Sequence, residues 1–338
     1  MNVFLTGHTG FKGAWMVLYL KFLGHNVHGY SNLVAPDSLF SLGNFETLCD
    51  SHNIGDVRDL RFLTTTIARA RPDVVIHFAA QSLVLESYRD PANTFETNIN
   101  GTLNTLIAAS SVDSVKKTLI ITTDKVYRND GRFAGYKEDD ELGGTDPYSK
   151  SKSMADKITQ YWSSMHPEED IAIARAGNVI GGGDVGKERI MPELIDGFSS
   201  GRPVELRNPL ALRPWQYVLD CLSGYLSLIN HPKILGGENV WNFGPNQQDR
   251  FSVSDLYTET ASYFNNIPQF PKTNSSTFFE AQNLSLDSTK ARSLLKWKNK
   301  FDFKETVYQT VKWYQDLYSG KDILAISNYS LEFFLQKS

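Results

Sequence analysis

Cysteine is scarce in this chain: Cys49 and Cys221 are the only two among 338 residues. They lie far apart and no C-x-x-C occurs, which argues against a disulfide framework or a thiolate zinc site. A reducing, cytoplasmic compartment is therefore expected. Long apolar runs are missing as well, and nothing approaches the ~20 residues a membrane helix needs. Val3-Phe4-Leu5 already reads as a core strand, which leaves no room for a signal peptide. Neither sign of charge dominates. The formal net charge is −4, with acids and bases mixed along the sequence. That excludes an electrostatic footprint for nucleic acid and a polybasic membrane patch. Internal repeats and low-complexity linkers are absent too. With 41% hydrophobic and 21% charged residues, the chain has an ordinary globular composition. It is long enough to bury a core without staples.

What is present is alternation. Short apolar runs at Val3–Leu5, His25–Tyr30, Asp73–Phe78, Thr118–Thr122 and Ile171–Arg175 read as strands. Helical stretches stand between them: Phe11–Leu23 with Gly24 as its stop, Asn98–Ser111, and Asp146-Pro147 through Trp162. Asp146 suits an N-cap, and proline suits the first helical position. Strands alternating with helices predict an α/β fold, a Rossmann-type doubly wound parallel sheet covered on both faces. Past residue 175 the pattern loosens. Gly177–Asp184 is a glycine-rich loop. Met191–Ser200, Val218–Ile229, Leu256–Phe264 and Lys304–Leu317 read as helices. Pro203–Leu206 and Asn239–Phe243 read as short strands, and the apolar tail Tyr329–Leu335 as packing on the body or a partner. Residues 1–175 are expected to form a dinucleotide-binding part that carries the catalytic residues. Residues 176–338 are expected to form a smaller, mainly substrate-binding part, with the chain crossing back to the first.

Thr6-Gly7-His8-Thr9-Gly10-Phe11-Lys12-Gly13 sets three glycines three apart between a strand and a helix. Glycine permits the sharp turn, lets backbone approach a pyrophosphate and lets the helix pack close to the sheet. The helix N-terminus adds free N–H groups and partial positive charge. A glycine trio alone is weak, but this one sits between strand and helix, where a dinucleotide fingerprint must sit. The spacing is G-x-x-G-x-x-G. After the second strand stand Ser31 and Asn32, neither an acid for a ribose 2′-OH nor an arginine for a 2′-phosphate, so this strand leaves NAD and NADP both open. Asp56 reads equally as an adenine-side acid or a solvated loop acid. His8 and His77 have no metal-ligand partners at useful spacing, so both read as structural and no metal is expected.

Tyr148 and Lys152 stand four apart, on one face of a helix. A free phenol titrates near pH 10, and a nearby ammonium and a nicotinamide cation would both favour its ionised form. A downward shift of roughly three units needs about 4 kcal/mol of differential interaction. Tyr148 could then take a proton from a sugar hydroxyl while hydride leaves the same carbon. Taken alone, Y-x-x-x-K describes many solvated helix faces; beside a dinucleotide turn it reads as chemistry. Thr122-Thr123-Asp124-Lys125 ends a strand, and ligands of open α/β sheets bind beyond the carboxyl ends of strands. A simple alcohol dehydrogenase needs a hydroxyl there, which Thr123 provides. Elimination of water needs in addition an acid and a base, and Asp124-Lys125 forms such a pair. Without its context, the dipeptide would read as a surface salt bridge.

The stretches TGHTGFKG (6–13), HFAAQSLVLESYRDP (77–91), TTDKVY (122–127), DPYSKSK (146–152), ARAGNVIGGGD (174–184) and RNPLALRPWQYV (207–218) resemble the extended short-chain dehydrogenase/reductase superfamily. Within it they are most similar to the CDP-glucose 4,6-dehydratase branch, over nearly the whole chain. The resemblance implies bound NAD. Gly7, Thr9, Gly10, Phe11, Gly13 and Ser31 would surround it, Asp56 and Val57 would lie by the adenine, and Ala79, Ala80, Gln81, Asn98, Tyr148 and Lys152 would line its channel. It implies that Thr123 hydrogen-bonds the sugar O4 and that Tyr148 and Lys152 run the oxidation. Asp124 would be the acid that expels the C6 hydroxyl, and Lys125 the base at C5. Gln81, Ser82, Asn178, Arg189, Arg207, Arg213 and Gln216 would hold a nucleotide-sugar. Two positions depart from expectation: Lys125 stands where thymidine-type dehydratases carry glutamate, and Tyr217 where histidine is expected. A lysine base must be neutral when it acts. Helices like those holding Asn98 and Tyr148 often form a dimer seam in the superfamily, so a homo-oligomer, dimer or tetramer, is implied.

The reading that follows is a hydro-lyase converting CDP-glucose to CDP-4-keto-6-deoxyglucose, with no net consumption of NAD. Another nucleotide-sugar dehydratase, or a 4-epimerase or oxidoreductase, would share the turn and Tyr148/Lys152. An epimerase would leave Asp124-Lys125 without a task, and a cofactor-sensing regulator of the same fold would need the turn but not the catalytic residues. The residues alone do not set the nucleotide base.

Overall fold

The structure is a computed structural model that describes residues 1–186, 188–233, 239–246, 250–265 and 283–337. Seven strands form one parallel sheet: β1 (Asn2–Thr6), β2 (Asn26–Ser31), β3 (Ser51–Ile54), β4 (Val74–His77), β5 (Lys117–Thr123), β6 (Ile171–Ala176) and β7 (Val240–Phe243). Their order is β7-β6-β5-β4-β1-β2-β3. The chain runs outward from β1 to β3, then returns to β4 on the other side of β1. The sequence direction therefore reverses between β1 and β4, and at such a reversal a crevice opens beyond the carboxyl ends of the strands. Thr6 lies level with Tyr30 and His77, and Thr123 with Ala176, so these strand ends share one edge.

Period-two alternation explains the two covered faces. Val3 and Leu5 point into the larger core with α1 (Phe11–Phe22), while Phe4 packs with Leu63 and Ile67 of α2 (Leu60–Ala70) and with Ala108 and Ala109 of α3 (Gly101–Ser110). Gly24, at φ +77°, ends α1 as expected, because only glycine takes that conformation without strain. The strand expected at Asn239–Phe243 is β7, hydrogen-bonded to β6 from Val240↔Ile173 to Phe243↔Ala176. The later part of the chain thus completes the sheet of the earlier part.

The reading of Pro203–Leu206 as a strand is corrected: no ladder forms there. Short pairings occur nearby instead, Leu212–Arg213 with Phe251–Ser252 and Val179–Ile180 with Gln216–Tyr217. The apolar tail belongs to a terminal helix, Ile323–Gln336, whose Phe334 packs on Phe301 and Tyr217. The glycine-rich loop is held at Gly182, where the Trp15 indole donates to the carbonyl oxygen and the Trp313 ring leaves no room for a side chain.

Candidate active site

The Gly7–Gly13 turn is a cradle. Gly7 has φ +72°, and a Cβ there would lie 2.6 Å from the Ala79 nitrogen. A Cβ on Gly13 would lie 2.7 Å from the His8 Cα. Neither site accepts a side chain, so both keep backbone open toward the crevice. α1 begins without a side-chain cap or an acid in its first turn, which leaves its N–H groups free for an anion. This donor set fits a pyrophosphate. Thr9 donates its hydroxyl to Leu33 O (2.7 Å) and its N–H to the Ser31 Oγ (3.4 Å), which ties the turn to the end of β2. Asp56 is not free: Arg58 grips its carboxylate and holds it below the usual range. Val57 is buried against Gly101. Asn98 lies in a widened π-helical turn, Glu96–Asn100, and is wholly buried. Its amide accepts from Gln81 N (2.8 Å) and donates to Gln81 O (2.9 Å) and Ser151 Oγ (2.8 Å), clamping the Ala79–Gln81 segment to the helix beyond. His77 sits among Thr6, Thr102 and Thr105, and His8 between Ser31 and His52; burial pushes each imidazole down to about 3.

A cavity of about 360 Å³ opens at the strand ends. Thr123, Asp124, Lys125 and Tyr148 form one wall. Tyr148 and Lys152 ride on α4 (Pro147–Met165), whose N-cap is Asp146, accepting from Ser149 N at 2.9 Å. Asp124 is fully buried. Its Oδ1 accepts from the Thr123 hydroxyl at 2.9 Å and lies 3.9 Å from the Lys125 ammonium, while its Oδ2 has no partner. Leaving a buried acceptor open costs about 1–3 kcal/mol. Gly177 makes the carboxylate's position possible, because any Cβ there would overlap it.

The tyrosine differs from expectation. Burial pushes the Tyr148 phenol up to about 12; its link to Thr123 pulls it back, and the Asp124 carboxylate adds to the rise. Lys152 spends its ammonium on the Ile121 carbonyl (2.8 Å) and not on the phenol. Burial, helped by the Lys12 charge, pushes Lys152 down to about 8.

The residues that frame this wall were not singled out from the sequence. Arg175 and Asp156, both at zero exposure, form a two-pronged ion pair at 2.9 and 2.7 Å. Asp156 also accepts from Thr122 (2.9 Å), and Arg175 donates to the Tyr127 hydroxyl (2.8 Å). One signal was available: Asp156 stands four residues after Lys152, on the same helix face.

The later part of the chain also lines the cavity, with Asn178, Arg189, Arg207, Arg213 and Trp215. Arg189 donates to Asp184 (2.8 Å) and to Ser82 Oγ (3.0 Å), bridging two sides of the cavity. Arg207 donates to Glu188 O (2.9 Å) and Arg213 to Leu212 O (2.9 Å). Asn178 takes φ +37°, and its buried Oδ1 has no partner. Gln216 does not line the cavity; its amide joins Gly177 O (3.0 Å) to Phe243 O (2.9 Å). Gln81 is likewise turned to its own segment, bonding Leu83 and Thr94. Tyr217 packs on Phe301 and Phe334.

A dinucleotide cradle at the reversal point of a parallel sheet, with a Tyr/Lys helix beside it, defines an enzyme of the short-chain dehydrogenase type. The chain belongs to the GDP-mannose 4,6 dehydratase family, whose model matches residues 4–310. It is 38% identical to the CDP-glucose 4,6-dehydratase of Salmonella typhimurium, covering 96% of this chain and 94% of that one. It is 26% identical to the dTDP-glucose 4,6-dehydratase of Haemophilus influenzae, covering 93% and 98%. Among solved structures, the UDP-glucose 4-epimerase from Bifidobacterium longum in complex with NAD+ and UDP superposes with TM-score 0.84 at 22% identity, covering 95% of this chain and all of that one. The dTDP-glucose 4,6-dehydratase from Bacillus anthracis in complex with NAD superposes with TM-score 0.81 at 21% identity, covering 94% and 97%. At those identities the superpositions speak for the fold.

Proposed function

We propose that this chain is an NAD-dependent nucleotide-sugar 4,6-dehydratase, converting CDP-glucose to CDP-4-keto-6-deoxyglucose and water. The observation that carries the reading is Asp124: a carboxylate at zero exposure with one oxygen open, beside Lys125 and Thr123 in one cavity wall. The similarity to the Salmonella enzyme supports the choice of CDP-glucose. Gly7, Gly10 and Gly13 hold the cofactor pyrophosphate, and Asn98 keeps Ala79–Gln81 along its channel. When bound, NAD supplies the hydride acceptor for sugar C4, the hydride donor for C6 and a positive ring that favours a phenolate.

Thr123 hydrogen-bonds O4, and Tyr148 takes the proton from the 4-hydroxyl. Lys152 orients the tyrosine and adds positive charge. Lys125 removes the C5 proton, which the new 4-ketone has made acidic. Asp124, protonated for this step, gives its proton to the leaving C6 hydroxyl and is left as the carboxylate, and water departs. Arg189, Arg207 and Arg213 suit the diphosphate, because a guanidinium meets phosphate oxygens as a fork.

The test is incubation with CDP-, dTDP-, GDP- and UDP-glucose, following the mass loss of one water. In heavy water, a dehydratase incorporates deuterium at C5. Turnover without water loss, with inversion at C4, would replace this reading by an epimerase.

We read the protein also as a cytoplasmic homo-oligomer. Among the described residues no helix is long and apolar enough to cross a membrane. Met154, Tyr161 and Met165 leave apolar surface exposed on α4, which supports self-association. Light scattering checks it.

A further inference from the structure

We propose that Glu193 reads the exocyclic amine of the substrate's base and so selects cytosine over uracil and thymine, an inference that rests on the CDP-glucose reading above. Glu193 lies in the first turn of α5 (Ile190–Ser200) and lines the cavity with Met191, Pro192 and Arg207. On the reading above the hexose belongs at Thr123, Asp124 and Tyr148, and the diphosphate beside the arginines of the same cavity. The base must then lie beyond the arginines.

Of the glutamates that line the cavity, Glu188 pairs with Arg89 (2.8 Å), which leaves two, Glu193 and Glu205. Neither tolerates a diphosphate against it, so each must face a part of the ligand that donates hydrogen bonds. Glu205 is exposed, where water competes for its oxygens. Glu193 is half-buried and has no hydrogen-bond or ion-pair partner among the described residues. Burial pushes its carboxyl up from the usual range, Arg207 pulls it back down, and the Glu188 carboxylate adds to the rise. A half-desolvated acceptor of this kind discriminates strongly. Cytosine offers it an N–H at C4, whereas uracil and thymine offer a carbonyl oxygen and leave two acceptors face to face.

The experiment is kcat/KM for CDP-glucose and UDP-glucose in wild type and Glu193→Gln. A glutamine amide can donate as well as accept. The expected result is a fall of about 10- to 100-fold in the CDP/UDP ratio, carried by KM, with the UDP-glucose value rising. Competition by CDP and UDP against bound substrate gives the same ratio without turnover, should the variant be a poor catalyst. An unchanged ratio overturns the assignment. So does a parallel loss on both substrates, which would make Glu193 a ribose contact, or a shifted ratio in Glu205→Gln alone. A wild type that prefers UDP- or dTDP-glucose would instead overturn the substrate reading on which this rests.

Discussion

One methyl group tests whether the elimination depends on the Asp124 carboxylate. Gly177 follows β6, and a Cβ there would lie 3.0 Å from the Asp124 Cβ and closer still to the carboxylate. Ordinary carbon contacts are about 3.5–4.0 Å. Asp124 has little freedom to yield: it is fully buried, and Thr123 holds one oxygen. The carboxyl group must move by about 1 Å or more. At a reacting centre, misplacement of ~1 Å costs on the order of 10²-fold in rate, about 2.7 kcal/mol of barrier. Gly177→Ala should therefore lower kcat for dehydration by about 10²-fold and leave KM within about twofold. The preceding oxidation relies on Tyr148 and Lys152 and should persist. Reduced cofactor should then accumulate on mixing with substrate, visible in stopped flow as near-ultraviolet absorbance. A folded variant with wild-type kcat would refute the role given to Asp124. Equal loss of oxidation and dehydration would show that the methyl group had disturbed the whole wall.

Lys152 carries a stability cost. Its folded value of about 8 lies below the ordinary 10.5, so the unfolded chain binds the proton more tightly; the cost is full below pH 8 and fades as pH rises toward 10.5. Lys152→Met should abolish oxidation and yet raise stability at pH 7 by on the order of 1–3 kcal/mol, the gain shrinking toward alkaline pH; a variant less stable than wild type at pH 7 contradicts this. Asp156→Asn leaves Arg175 buried without its carboxylate and should lose about 3–5 kcal/mol in urea unfolding, whereas a loss under about 1 kcal/mol would remove the pair from the frame. His8 and His77 are held at about 3 against an ordinary 6.5, so unfolding takes up protons the native state refuses, and stability falls with pH below 6.5. Each contributes up to about 1.4 kcal/mol per pH unit. His77→Gln should flatten the acid limb of a stability–pH curve by that amount, and an unchanged limb would contradict it.

The sheet was legible because buried parallel strands are continuous apolar runs, as in Val74–His77 and Lys117–Thr123. β3 was not: Ser51-His52-Asn53-Ile54 is polar, and it forms because His28 to Ser31 offers it a ladder. Pro203–Leu206 misled for the opposite reason: Val204 and Leu206 alternate into the core as a strand would, but no ladder extends along them. At the candidate site, the residues whose own chemistry the proposal uses, among them Gly7, Thr123, Asp124, Tyr148 and Lys152, were singled out from the sequence, and the structure brings Thr123, Asp124 and Tyr148 to one cavity. Residues that act through another group were not. Gly177 matters through the volume it leaves to the Asp124 carboxylate, and Arg175 through Asp156, a partner 19 positions away. Gln216 and Asp56 show the converse: each was a candidate ligand by type, yet Arg58 takes up the Asp56 carboxylate and two backbone carbonyls take up the Gln216 amide nitrogen.

Those hidden residues bear on which reaction the wall can support. Asp156 holds Thr122 of the strand end and Arg175 of β6, and it rides on the same helix as Tyr148 and Lys152. The hydroxyl, the tyrosine and the Asp124 backbone are thereby fixed in one frame. Oxidation at C4 needs Thr123, Tyr148 and Lys152 in register and nothing more. It gains nothing from a carboxylate sealed at zero exposure with an oxygen unmatched, a feature that costs about 1–3 kcal/mol in the free protein. Such a cost is recovered when a hexose hydroxyl completes the site, because a hydroxyl satisfies the open oxygen while Asp124 is ionised and takes the proton when Asp124 acts as the acid. An acid poised against a hydroxyl, with an amine 3.9 Å from its other oxygen, is an arrangement for removing water. The burial of Asp124, more than the motif that contains it, separates dehydration from the redox chemistry shared by the wider fold.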